Sequence, residues 1–125
     1  MKVAPERGSG TVLAMATMAV VIVASLALVA ATQIVIGRAR AVTAADAAAL
    51  AAAVHTFPPA GAGITPIQAA TAMARSNGAL LTLCRCRTDA SLGMRTVEVK
   101  VETRVEVVLI GPVMVAAASR AEYVP

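Results

Sequence analysis

The chain has 125 residues, 58% hydrophobic and only 2% aromatic, with a net charge of +4. Lysine occurs only at Lys2 and Lys100, arginines are scattered from Arg7 to Arg120, and Phe57 and Tyr123 are the sole aromatics. That argues against a nucleic-acid reader, which needs clustered cations and stacking rings, and predicts no nucleic-acid partner.

Residues 1–10, MKVAPERGSG, read as a leader or topology signal. Lys2 and Arg7 make it basic, and Gly8-Ser9-Gly10 is flexible and sterically open. The segment 11–36 follows without one charged side chain. A membrane helix needs roughly 20 mostly apolar residues, so this block spans a bilayer with some tilt. Lys2 and Arg7 before it balance Arg38 and Arg40 after it, so the positive-inside count is a tie. The longer C-terminal part, which holds the cysteines, favours a leader inside and a domain outside. Val29-Ala30-Ala31 also resembles a small-residue signal cleavage site, which leaves export as the alternative.

The domain is expected over 37–125. Alanine dominates 38–54, so the helix is predicted to continue through Gly37, a weak point, to Val54 and to stop before Pro58-Pro59. Val42, Leu50 and Val54 drift along one face of a narrow alanine surface that another helix or a sheet can approach closely. Asp46 has no basic residue three or four positions away. It is either a solvated charge or pairs with an arginine, of its own domain or, as a subunit contact, of a neighbouring chain.

A loop is expected over 57–63. Thr65, Pro66 and Gln68 then form a capping box with proline at the first helical position. The helix 65–76 should pack through Ile67, Ala70, Met73 and Ala74 and end at Asn77-Gly78. Strands are expected at 79–87, 95–110 and 113–123. The second is the clearest: valines at 97, 99, 101, 105 and 107 alternate with charged residues, as in a half-buried antiparallel strand. Leu81 and Leu83 should share one face of the first strand, with Cys84 and Cys86 on the other. Gly111-Pro112 is the expected break before the third strand.

Cys84 and Cys86 are the only cysteines and His55 the only histidine, too few for a four-ligand zinc site. Two residues apart on a strand, the cysteines point the same way near the upper limit of bridgeable distance. A disulfide, a reduced pair and a crosslink between chains all remain open. With one histidine, few acids and no phosphate loop, no enzyme and no cofactor is expected. The fold class predicted is α+β: a long N-terminal transmembrane helix running into a small domain with one short helix and a two- to three-stranded antiparallel sheet.

That layout, with the run Arg38–Ala53 (RARAVTAADAAALAAA), the start ERGSGTV, the CRC strand and the alternating valine strand, resembles the TadE-like proteins within the type IV pilin and pseudopilin group. The likeness is to the actinobacterial TadE-like proteins of helicase and secretion gene neighbourhoods. It covers nearly the whole chain. It implies a single-pass cell-membrane protein with an extracytoplasmic domain, a minor pilin-like component of a tight-adherence or type II secretion-like system. Implied partners are the lipid bilayer, other pilin-like subunits, membrane components of that system and a prepilin peptidase. The peptidase would cut between Gly8 and Ser9. The chain departs from the family at Leu13, where pilins carry a glutamate that neutralises a neighbour's new amino terminus; pseudopilins at filament tips also lack it.

Overall fold

A computed structural model describes residues 8–57 and 63–124. The first seven residues of the leader and most of the Pro58-Pro59 loop lie outside them. Helix α1 (Ser9–Val54) runs for 46 residues, with Gly8 at its N-cap and His55 at its C-cap. It starts two residues earlier than the apolar block, because Ser9 and Gly10 are already helical. Helix α2 (Pro66–Ser76) follows, then β1 (Leu80–Arg85), β2 (Arg95–Val107) and β3 (Gly111–Tyr123). The strands form one antiparallel sheet in the order β1-β2-β3. This is the α+β, pilin-like layout expected from the sequence.

The sheet lies along the upper part of α1. At one end Gln33 meets the β2–β3 turn, and at the other Thr56 meets the loop that leads into β2. Ala41, Ala44, Ala45, Ala48, Ala49 and Ala52 are fully buried on the helix. Val97, Val99 and Val101 face them from β2, with Ala117 and Ala121 from β3 and Ala70 and Ala74 from α2. Methyl groups on the helix leave nothing to hold a sheet away, so valines reach nearly to the helix backbone. Gly37, buried four residues before Ala41, carries this furthest. A Cβ there would lie 3.1 Å from Cγ1 of Val105 and closer still to Cγ2.

The capping box at α2 is present in full. Thr65 Oγ1 accepts from the Gln68 N–H at 3.3 Å, and the Thr65 N–H donates to Gln68 Oε1 at 2.9 Å. The helix ends at Asn77, and Gly78 turns the chain with φ +71°. Its packing face is narrower than the sequence predicts: Pro66, Ala70 and Ala74 are buried, while Ile67 and Met73 are exposed. An alanine-lined neighbour sits too close for the larger side chains to fit between the helices.

Two strand features also differ from expectation. The pairing of β1 with β2 slips between Leu81 and Leu83, a bulge that reverses the alternation at Thr82. Leu81, Cys84 and Cys86 therefore share the core face, and Leu83 turns to the exposed side. The turn between β2 and β3 comes at Val108-Leu109-Ile110, before Gly111-Pro112 rather than at it. Gly111 takes φ +91° at the first position of β3, and Leu109 takes φ +69°.

On the outer face Glu98 links all three strands. It stands opposite Arg85 of β1 and Arg120 of β3, at 3.2 and 3.6 Å. Both guanidiniums are well exposed, so each pair contributes about 0.2–1 kcal/mol.

Candidate functional site

Below Gly37 the helix has almost no intrachain neighbours. Its most apolar 18-residue window has a mean hydropathy of 2.7 and is 0% buried. By length and composition this is one helix able to cross a membrane. Val12, Leu13, Met15, Met18, Val20, Val21, Val23 and Leu28 are each more than 60% exposed. Water would charge heavily for that surface, since each apolar Å² left exposed forgoes about 25 cal/mol.

The polar side chains of the block are compatible with an apolar surrounding. Thr11, Thr17, Ser25 and Thr32 each donate a hydroxyl to a carbonyl of their own helix, on Gly8, Ala14, Val21 and Leu28. The fifth, Gln33, accepts the Val108 N–H at 2.8 Å. A hydroxyl bonded within its own helix needs no water, which is the condition for sitting in hydrocarbon. Gln33 also ties the β2–β3 turn to the top of the apolar block, which no local sequence pattern announces.

Just above it, Arg38 and Arg40 are exposed on α1 and Arg104 on β2. Arg104 Nε pairs with Glu106 Oε1 at 3.0 Å. Arg40, Arg104 and Glu106 border an open recess of about 360 Å³ together with Gln33, Ile36 and Gly37. The end of the apolar block is thus marked by a collar of charged side chains.

The opposite end of the domain is closed by the only two aromatics. The Arg95 guanidinium lies over the rings of Phe57 and Tyr123, 5.6 and 5.8 Å from their centroids. It also donates to the Ser91 carbonyl. Asp89 N–H donates to Thr56 O at 3.0 Å, fastening the loop to the end of α1. The Ser91 N–H and hydroxyl both donate to the Asp89 carboxylate and hold its pKa below the usual value, helped by the charges of Arg95 and Arg87.

The remaining sequence-predicted residues fall apart in space. Gly8 and Ser9 stand at the lower end of α1. Asp46 is exposed on α1 and makes no ion pair among the described residues. Cys84 and Cys86 are joined as a disulfide, with Cα atoms 5.3 Å apart, packed against the core. His55 is half-buried at the C-cap of α1. Among the described residues no three His, Cys, Asp or Glu side chains converge into a metal-binding group.

No family model, curated protein or solved structure compared with this chain matches it.

Proposed function

We propose that this chain is a membrane-anchored structural subunit, a minor pilin or pseudopilin-like component of a tight-adherence or type II secretion-like assembly. The observation that carries this reading is the bare lower half of α1. It is long, apolar, internally satisfied in its hydrogen bonds, and continuous with the helix on which the domain is built. A lipid bilayer is the surrounding that covers such a surface on every side.

Two further features support it. A peptidase cut between Gly8 and Ser9 leaves a chain that begins at the first residue of α1, removing only the N-cap and the Gly8 carbonyl that accepts the Thr11 hydroxyl. The Cys84–Cys86 disulfide suits a domain on the oxidising side of the membrane. Assembly with like subunits would use the side of α1 turned away from the sheet, where Val42, Leu50 and Val54 are exposed beside Asp46.

One observation favours the second reading, an exported soluble effector or binding protein. The domain's hydrogen bond to α1 begins at Gln33, so a cut after Ala31 spares that bond. The intact mass of the mature protein decides. Loss of residues 1–8, with retention in the membrane fraction, supports the subunit. A product beginning after Ala31 that stays dissolved without detergent overturns it.

A further inference from the structure

We propose that the β2–β3 hairpin tip, Val108-Leu109-Ile110, is a second membrane contact that seats the domain in the lipid interface beside α1. This rests on the anchored reading above. Leu109 and Ile110 are 80% and 65% exposed, and Val108 is 40% exposed. They form the end of the sheet nearest the apolar block. Three consecutive large apolar residues are an unusual choice for a tight turn, where glycine, asparagine and aspartate dominate. Leu109 in particular adopts φ +69°, a left-handed conformation that disfavours branched side chains. Folding alone therefore does not select leucine there.

The occupant follows from where the tip is held. Val108 N–H is bonded to Gln33, which lies inside the uncharged block, three residues below its end at Ile36. At 1.5 Å per residue the tip reaches about 5 Å below the end of the apolar block. That matches the roughly 5–10 Å to which interfacial apolar groups sink into the headgroup–acyl boundary. Arg40 stands seven residues, about 10 Å, above Gln33. With Arg38 and Arg104 it falls at headgroup height, where guanidiniums meet phosphate. The exposed apolar surface of the tip is thus continuous with that of α1, and the same lipid covers both.

The chain has no tryptophan, so single tryptophans report without background. Val20→Trp, Leu109→Trp and Leu92→Trp variants of the full chain are reconstituted in phosphatidylcholine vesicles brominated at shallow or deep acyl positions. Leu92 is 74% exposed on the loop before β2, at the far end of the sheet, and serves as the aqueous reference. The expected result is quenching of Val20→Trp by deep bromines, of Leu109→Trp by shallow bromines only, and none at Leu92→Trp. An unquenched Leu109→Trp beside a quenched Val20→Trp overturns the tip contact and leaves the anchor standing. If that unquenched tryptophan emits at blue-shifted wavelength, a protein covers the tip instead. An unquenched Val20→Trp overturns the anchor itself, and the tip contact with it.

Discussion

The lower half of α1 leaves its valines, leucines and methionines uncovered, while the upper half completely buries the alanines that face the sheet and α2, Ala41, Ala44, Ala45, Ala48, Ala49 and Ala52. A water-soluble protein does the reverse, hiding large apolar side chains and tolerating alanine at the surface. The inversion shows that residue size is assigned here by neighbour. Where a sheet must lie against the helix, the side chain shrinks to a methyl group or, at Gly37, to hydrogen. Where no part of the chain lies against it, large side chains occur on every side.

The largest effect should come from charging the lower half. Val20→Arg should lower membrane insertion by about 3 kcal/mol and move the protein towards the soluble fraction. Its domain should keep the unfolding midpoint of the wild type in detergent; a lowered midpoint would mean the two halves are not separate in energy. Next is the boundary. Gly37→Ala should destabilise the domain by about 2 kcal/mol through collision with Val105. Val105→Ala in the same chain should recover part of that loss, and thermal unfolding of the single and double variants measures it. An additive double variant would show that the close approach at Gly37 is not what matters.

A smaller effect is expected at the hairpin tip. Leu109→Asn should stabilise the domain in detergent by up to about 1 kcal/mol, because asparagine tolerates the left-handed conformation better. The weakest effect sits furthest from the apolar block. The lowered pKa of Asp89 means its contribution to stability is fully present above the ordinary carboxylate range and is lost as pH falls through the depressed value. Asp89→Asn should remove that part of the acid dependence, visible as a flatter unfolding midpoint below pH ~4.

The parts of this fold that were legible beforehand are those in which neighbours along the chain decide the outcome. The uncharged block, the alanine run, the capping box at Thr65 and Gln68, and the valine alternation of β2 are all patterns within one element. What escaped were pairings between elements. The bulge at Thr82 is set by how β1 meets β2, and it parts Leu81 from Leu83, placing Leu81 on the core face with Cys84 and Cys86. Gln33 is one polar residue in an apolar run, and its partner lies 75 positions away. The Arg95 clamp joins three residues from separate elements, and the scarcity of aromatics was the only available sign. Ile67 and Met73 were misplaced because periodicity finds a face but cannot tell how near its neighbour will come.

No proline interrupts α1 between Ser9 and Val54, so the chain possesses one stiff lever of about 69 Å. A spanning helix commonly leans by about 20°, and on a lever this long that lean displaces the upper end sideways by roughly 24 Å. The head therefore cannot drift independently of its stalk. In the anchored arrangement proposed above, a force applied to it is carried along the helix to the far leaflet.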